Sequence, residues 1–262
     1  MYNIGIDSGS RMTKLCLFDI DTHSIADTMI TDSSELHERL FYDMIEEVLS
    51  KNNLTKADIL NINTTGYGRK NFTLANKYSS EIMCHAKGVH YLNPDIKTII
   101  DIGGQDTKII KLCGKGKVQD FIMNDKCAAG TGRFLEKVAD FFKIKVSDLG
   151  EIAKDSTKKL EISSTCVVFA ESEIIGLVAS GQKREDIINA VHHSIINRII
   201  SMSGHIQIES PVAFVGGVAK NSGMAHTLQI CLNTDIYIPP SPDITGAVGA
   251  SLASHQNRLS VS

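Results

Sequence analysis

The 262-residue sequence lacks an excess of positive charge, since 27 lysines and arginines are balanced by 30 aspartates and glutamates, for a formal net charge of −3. Proteins that bind nucleic acid through its phosphates usually carry a basic surplus, so this balance argues against a nucleic-acid partner. With 42% apolar and 22% charged residues, the composition is typical of a globular protein. At this length the chain can form one large α/β domain or two small ones packed together.

The sequence also lacks long hydrophobic runs. No stretch approaches the roughly 20 uninterrupted apolar residues of a membrane span, and the first ten residues have neither a basic segment nor an apolar one. These absences predict a cytoplasmic protein with no membrane partner. Because there is no secretion signal and the six cysteines are scattered, we expect reduced thiols or metal ligands rather than a disulfide framework.

Two common nucleotide signatures are missing, the G-x-x-x-x-G-K-[ST] phosphate loop and the G-x-G-x-x-G dinucleotide motif. A phosphate-loop NTPase and a Rossmann dehydrogenase are therefore disfavoured. The chain has an internal repeat instead. The pattern I-D-x-G-x-x-x-T-K at residues 6–14 recurs at residues 100–108, so five identities fall at a constant offset of 94 residues.

Each copy of the repeat begins in an apolar, strand-like run and passes through a glycine-containing turn into a second β-favouring run. The repeat therefore predicts two β-hairpins. Strands are predicted at residues 2–6, 13–18, 61–65, 98–102, 107–112, 212–215 and 235–238. Helices are predicted at residues 34–49, 131–142, 166–179, 185–201, 221–232 and 244–254.

Duplicated hairpins followed by alternating helices and strands predict an α/β fold of two related subdomains with a cleft between them. We place the first subdomain at residues 1–94 plus 245–262 and the second at residues 95–244. No linker rich in glycine, serine or proline separates them, so we expect the two to pack closely.

The two hairpin turns are candidate phosphate sites, because glycine lets backbone N–H groups approach an anion closely. Asp7 and Asp101 stand just before the turns, where they could hold Mg²⁺ directly or through water. A single hairpin turn is more often only structural, and it is the duplication that favours a ligand. Further candidate nucleotide-binding residues in or beside the turns are Ser8, Gly9, Ser10, Arg11, Thr13, Lys14, Gly103, Gly104 and Lys108.

A third glycine loop follows the strand predicted at residues 212–215 and leads into a helix. Its candidate residues are Gly216, Gly217, Val218 and Asn221, in the arrangement expected where a base and ribose lie against the backbone. Alone, this loop would be a weak signal.

The ordered set of two aspartate turns, a glycine pair and a terminal small-residue helix at residues 246–250, beginning with Gly246, resembles the acetate/sugar kinase, heat-shock 70 and actin superfamily. The resemblance covers nearly the whole chain. It implies two duplicated RNase H-like subdomains and a cleft that binds ATP or ADP. Because that superfamily contains kinases, chaperones and filament proteins, the fold alone does not assign a function.

Longer motifs narrow the resemblance. DIGGQD at residues 101–106, MNDKCAAGTGRFLE at 123–136 and SSTCVVFAESE at 163–173 closely resemble segments of the 2-hydroxyacyl-CoA dehydratase activators, which group with the ATPase subunits of benzoyl-CoA reductase. TGYGR at residues 65–69 and EIMCHA at 81–86 match further family segments. The resemblance implies an ATPase that drives single electrons into a 2-hydroxyacyl-CoA dehydratase, with ferredoxin or flavodoxin as donor.

The same resemblance implies a homodimer with one [4Fe–4S] cluster on the two-fold axis, ligated by Cys127 and Cys166 of both chains. Residue chemistry agrees, because two thiolates are half of a four-cysteine set and a symmetric dimer supplies the rest. Spacing alone would make two cysteines 39 residues apart ordinary buried thiols.

For the other cysteines and the histidines considered as metal ligands, we expect structural roles. Cys16, Cys113 and Cys231 lie in apolar patterns and are expected in the core, and Cys84-His85 is expected to pack. His192 and His193 are neighbours on a predicted helix and point in different directions, which predicts a solvated or partly packed surface rather than a shared ion.

For hydrolysis, Gln105 is the first candidate to position the attacking water and Asp106 the second. Arg11 departs from the family pattern, in which a small residue or threonine is usual, and it could strengthen phosphate binding or point to solvent. The resemblance implies that the partner dehydratase holds the acyl-CoA, so the sequence of this chain does not identify that substrate.

Two other functions remain open. A small-molecule kinase of the same superfamily, such as a pantothenate or N-acetylhexosamine kinase, would need an acceptor hydroxyl and a carboxylate base but no cluster. A non-redox ATP-binding regulator would use its cysteines only structurally.

Overall fold

The computed structural model describes residues 1–33, 38–163, 166–204 and 206–253. These residues form ten β-strands and eight α-helices, divided between two compact units. The first unit comprises Met1–Asp95, Leu112–Gln119 and Asp243–Ser262, and the second comprises Ile96–Lys111 and Asp120–Pro242.

The elements alternate along the chain as an α/β protein requires. The strands are β1 (Tyr2–Ser8), β2 (Met12–Asp19), β3 (Ser24–Asp32), β4 (Ile59–Thr65), β5 (Lys77–Tyr78), β6 (Thr98–Ile102), β7 (Thr107–Cys113), β8 (Lys117–Asn124), β9 (Val212–Val215) and β10 (Ile236–Tyr237). The helices are α1 (Glu38–Lys51), α2 (Glu81–Leu92), α3 (Gly132–Phe142), α4 (Leu149–Ala153), α5 (Val167–Ala179), α6 (Arg184–Ser203), α7 (Ser222–Leu232) and α8 (Thr245–Ala253).

The first sheet has the strand order β3-β2-β1-β4-β5. β1 and β2 form an antiparallel hairpin in which Asp7 lies opposite Lys14, and β1 pairs with β4 in parallel. Apolar residues of β1 and β2 pack with the buried stripe of α1 in one core cluster. The small residues of α8 are almost all buried, and α8 packs against α2 and β1.

The second sheet has the order β10-β9-β6-β7-β8, which repeats the arrangement of the first. β6 and β7 form the second hairpin, in which Asp101 lies opposite Lys108, and β6 pairs with β9 in parallel. Its core is built from strand isoleucines and from the buried faces of α3, α6 and α7. The predicted α/β fold with duplicated hairpins is confirmed.

The predicted elements are present within a few residues of their expected bounds. The predicted helix at residues 34–49 begins at Glu38 among the described residues, and residues 34–37, like residue 254 of the last helix, lie outside them. The patterns missed β3, β5, β8, α2 and α4. No residue of β3 or β8 is fully buried, so neither strand shows the regular burial that makes a strand recognisable. No helix in the described part of the chain has the length and apolar character of a membrane span.

Candidate functional site

The first turn, in the first unit, places a buried carboxylate beside a lysine. The Gly9 amide donates to the Met12 carbonyl oxygen at 3.2 Å and closes the turn. Asp7 is buried at the end of β1, and its Oδ2 lies 3.6 Å from Lys14 Nζ. Within the described residues, Asp7 Oδ1 and the Ser8 hydroxyl are buried without a hydrogen-bond partner. Such groups are costly unless water, an ion or a ligand satisfies them, so this turn fits a cation or a hydrated ligand.

Glycine is required where the chain leaves β4 and passes Asp7. Gly66 has φ of +85°, and a Cβ there would lie 2.5 Å from Asp7 Oδ1 and 2.5 Å from the Ser8 carbonyl oxygen. The Gly68 amide donates to the same Ser8 oxygen at 2.9 Å. Gly246 of α8 approaches the other side of the carboxylate, since its Cβ would lie 2.7 Å from Asp7 Oδ2. The aspartate is therefore held between two close backbone segments.

The second turn, in the second unit, has the same construction with a more fully buried lysine. The Gly103 amide donates to the Asp106 carbonyl oxygen at 2.9 Å. Lys108 Nζ donates to Asp101 Oδ2 at 3.1 Å and to Asp106 Oδ2 at 2.9 Å. All but 1% of the Lys108 side chain is buried, so its ammonium group holds the two carboxylates in place.

Gly216 approaches Asp101 as closely as Gly66 approaches Asp7. It has φ of +87°, and a Cβ there would lie 2.4 Å from Asp101 Oδ1 and 2.4 Å from the Ile102 carbonyl oxygen. The duplication therefore includes a glycine after the parallel neighbour strand of each aspartate. Sequence comparison at the 94-residue offset missed this pair, because Gly66 and Gly216 are 150 residues apart.

The remaining candidates of the first turn and of the third loop differ in exposure. Ser10 is half-buried, Arg11 is exposed, and Thr13 is buried, with its hydroxyl 2.8 Å from that of Ser33. Val218 is buried, and Asn221 caps α7 by accepting a hydrogen bond from the Met224 amide at 3.0 Å. Gly217 faces open space, with no atom of the described residues within 4 Å of a Cβ built there.

The candidates for water positioning lie in the second turn. Gln105 is exposed and Asp106 is half-buried. Because Asp106 Oδ2 accepts a hydrogen bond from Lys108 Nζ, Gln105 is the less constrained of the two side chains.

The two candidate cluster cysteines lie in the second unit, and neither forms a disulfide. Cys127 is half-buried and precedes a 3₁₀ turn, Ala128–Gly130, that leads to α3. Its amide donates to Asn124 Oδ1 at 3.0 Å, and Asn124 Nδ2 donates to its carbonyl oxygen at 2.7 Å. Arg198 donates from a guanidinium nitrogen to Cys127 Sγ at 3.1 Å.

Cys166 is exposed and occupies the N-cap position of α5, at the start of the predicted helix, and its carbonyl oxygen accepts from the Ala170 amide at 2.9 Å. Ser164 and Thr165 of the same motif lie outside the described residues. The first turns of α5 carry apolar side chains at the surface, with Val168 67% and Phe169 68% exposed. An exposed apolar stretch of this kind is typical of a protein interface.

Hydrogen bonds join the second turn to the segment that carries Cys127. The amides of Gly132 and Arg133, at the start of α3, donate to the carbonyl oxygens of Gly103 at 2.9 Å and Gly104 at 3.0 Å. The Thr107 hydroxyl donates to the Gly130 carbonyl oxygen. Three hydrogen bonds therefore connect the second turn to the residues that follow Cys127.

Two interpretations of single residues were wrong. Cys113 is exposed rather than in the core, because it is the last residue of β7, where the hairpin reaches solvent. His192 is fully buried rather than at the surface, and burial lowers its pKa from the usual 6.5 to about 4. Its neighbour His193 is half-buried, as expected.

Cys16, Cys84 and His85 are packed in the first unit, as expected. Burial raises the pKa of the Cys16 thiol to about 12 and that of the Cys84 thiol to about 11, so neither is a ready thiolate. His85 is buried, with Nδ1 2.9 Å from the Thr245 hydroxyl. Cys231, in the second unit, is only half-buried.

Comparison with known proteins shows which family this chain matches. The family described as the BadF/BadG/BcrA/BcrD ATPase family matches residues 4–254. The chain is 42% identical over 252 residues to the 2-hydroxyisocaproyl-CoA dehydratase activator of Clostridioides difficile, covering 96% of this chain and 94% of that protein. It is 42% identical over 259 residues to the activator of lactoyl-CoA dehydratase of Anaerotignum propionicum, covering 98% of each.

A solved structure shows the same fold. The activator of the 2-hydroxyisocaproyl-CoA dehydratase from Clostridium difficile, with bound ADPNP, has a TM-score of 0.89 and 40% sequence identity. The match covers 97% of this chain and 94% of that one.

Proposed function

The chain belongs to the BadF/BadG/BcrA/BcrD ATPase family, and from this membership we propose that it is an ATP-dependent activator of a 2-hydroxyacyl-CoA dehydratase. The proposal is that ATP hydrolysis drives a single electron from the activator into the dehydratase. The observation that carries it is the 42% identity, over 96% or more of this chain, to two proteins named as activators of such dehydratases.

Mg²⁺-ATP is the proposed nucleotide and ADP its product. Asp7 and Asp101 each lie one residue before the end of a strand that leads into a glycine turn, and carboxylates in that setting bind Mg²⁺ directly or through its waters. The amides of Ser10 and Gly104 would take phosphate oxygens, since the Gly9 and Gly103 amides already donate to carbonyl oxygens within the turns. The unsatisfied Asp7 Oδ1 and Ser8 hydroxyl support a ligand at the first turn. The open backbone at Gly217 supports a base or ribose at the third loop.

Gln105 is the proposed water-positioning residue. In hydrolysis the water oxygen bonds to the γ-phosphorus, the bond to the β–γ bridging oxygen breaks, and the water gives up a proton. An exposed side-chain amide can orient that water because its oxygen accepts a hydrogen bond from the water O–H. The Lys108 ammonium keeps Asp106 engaged at the turn, which makes Asp106 the second choice.

Cys127 and Cys166 fit a shared [4Fe–4S] cluster. Neither forms a disulfide, both reach the surface, and each precedes a helical turn whose N–H groups favour an anionic sulfur ligand. Four cysteines complete such a site and each chain offers two, so a homodimer would supply the set. The exposed apolar residues of α5 directly after Cys166 support a subunit contact there. When bound, the cluster would supply a one-electron carrier, with ferredoxin or flavodoxin as donor.

Coupling requires that ATP favour one arrangement of the protein over another. Shifting a population from 1:99 to 99:1 takes about 5.5 kcal/mol of differential affinity, a plausible contribution from a clamped triphosphate. The hydrogen bonds from Gly132 and Arg133 to the second turn provide a route by which the nucleotide could bias the Cys127 segment.

Anaerobic purification tests the proposal. The protein should be brown, contain about four irons per dimer, hydrolyse ATP, and activate a 2-hydroxyacyl-CoA dehydratase only with ATP and a reductant. A colourless protein that phosphorylates a small-molecule hydroxyl would support the kinase alternative. Activation of the dehydratase by iron-free protein would support the non-redox regulator.

A further inference from the structure

Arg198 is a cationic side chain that contacts a candidate cluster ligand. It lies near the end of α6, 71 residues after Cys127, and donates from its guanidinium group to Cys127 Sγ at 3.1 Å. The distance is short for a hydrogen bond to sulfur, whose radius is larger than that of oxygen. The stem of the same side chain packs on the 3₁₀ turn, because a Cβ on Gly130 would lie 3.6 Å from Arg198 Cδ.

We propose that Arg198 is a positioning residue that raises the reduction potential of the cluster by donating to the Cys127 sulfur. The proposal rests on the proposed function, because it requires the cluster to be present. It goes further by assigning the control of the potential to one side chain outside the ligand set.

The physical argument is electrostatic. A one-electron reduction adds a negative charge to a cluster that four thiolates already make anionic. Hydrogen bonds to the sulfurs and nearby positive charge stabilise the reduced form more than the oxidised form, and they raise the potential. Charge-assisted hydrogen bonds in a half-buried setting are among the stronger ones. In a symmetric dimer the effect would be doubled, because each chain brings one Arg198 to its own Cys127.

Arg198 also packs on the 3₁₀ turn, so the test must separate this packing role from the electrostatic one. A lysine variant does so. Arg198→Gln removes the charge and keeps much of the stem, whereas Arg198→Lys keeps the charge and loses the planar fork. Arg184 is a matched control on the same helix. It pairs with Glu185 and lies 14 residues away, about 21 Å along the axis.

The experiment is a mediated redox titration of the anaerobic, nucleotide-free homodimer, followed by absorbance and electron paramagnetic resonance. Iron is measured on every sample. In Arg198→Gln we expect wild-type iron and a lower potential, such that the ratio of reduced to oxidised protein at fixed poise falls about tenfold, a 59 mV change for one electron. Arg198→Lys should recover part of the difference, and Arg184→Gln should match the wild type.

A potential equal to that of the wild type in Arg198→Gln would overturn the proposal and leave the proposed function intact. If Arg198→Gln loses its iron, the potential of Arg198→Lys tests the proposal instead. An iron-loaded lysine variant with a lowered potential supports the proposal, whereas one with the wild-type potential, or one without iron, shows that Arg198 only retains the cluster. Wild-type protein that contains no iron would overturn the proposed function and this proposal together.

Discussion

Gly216 lies so close to Asp101 that a Cβ on the glycine would stand 2.4 Å from the carboxylate Oδ1. Real Cβ atoms do not approach an oxygen so closely, so any side chain at residue 216 must displace the aspartate or the loop. The position of the Asp101 carboxylate therefore depends on Gly216, which belongs to no sequence motif shared with Asp101.

Gly216→Ala should therefore lose nucleotide affinity at least tenfold and lose stability as well. Gly181 is the matched control, because it also has a positive φ, +78°, but faces open space. Gly181→Ala should cost only the backbone strain of a left-handed residue, about 1–2 kcal/mol. Urea unfolding together with titration of Mg²⁺-ATP measures both effects. Wild-type nucleotide affinity in Gly216→Ala would contradict the assignment of Asp101 to the site.

Asp101→Ala should abolish ATP hydrolysis and also destabilise the protein by about 3 kcal/mol, because it removes one of two carboxylates from a buried ammonium. The double variant Asp101→Ala with Lys108→Met removes that ammonium too. It should recover much of the stability while staying inactive. If hydrolysis returned with stability, the loss in the single variant would be structural and Asp101 would have no role at the metal.

Cys127→Ser and Cys166→Ser should each lose iron and the ability to activate a dehydratase, because each removes two of the four proposed ligands from a dimer. Cys113→Ser and Cys231→Ser are controls at an exposed and a half-buried thiol. They should keep about four irons per dimer. About four irons per monomer, or full iron in both ligand variants, would exclude a shared cluster.

Phe169→Glu should convert the protein to a monomer and remove its iron, since it places a charge in the exposed apolar stretch that follows Cys166. Ile230 of α7 is a second exposed apolar residue, 56% exposed, and Ile230→Glu is the control. Anaerobic light scattering gives the mass of each. A dimer that survives Phe169→Glu with its iron would place the subunit contact elsewhere.

Stability should fall between pH 6.5 and pH 4 because of His192. Its pKa is about 4 in the folded protein and about 6.5 when unfolded, so in this window the unfolded chain binds a proton that the folded chain does not. The loss should approach about 3 kcal/mol near pH 4. Within the described residues neither ring nitrogen has a hydrogen-bond partner, so His192→Leu should fold and lack this part of the pH dependence. His226→Gln, at an exposed histidine, should retain it.

The hairpins and the duplication follow from the sequence by itself. A strand, a glycine turn and a returning strand are local features, so residues 6–14 and 100–108 carry them in their own spacing. The same local signals place Cys127 and Cys166 ahead of helical turns. The edge strands β3 and β8 were not predicted, because none of their residues is fully buried and they lack a regular apolar pattern.

Only the tertiary structure decided which distant residues meet. Gly66 reaches Asp7, and Gly216 reaches Asp101, because each follows the strand that pairs in parallel with the aspartate's strand, and the connections between those strands differ in length. The Arg198 contact to Cys127 and the burial of His192 depend on how α6 packs in the second unit. Helix periodicity shows which faces are apolar, but the neighbours of a side chain are set by packing between elements far apart in the chain.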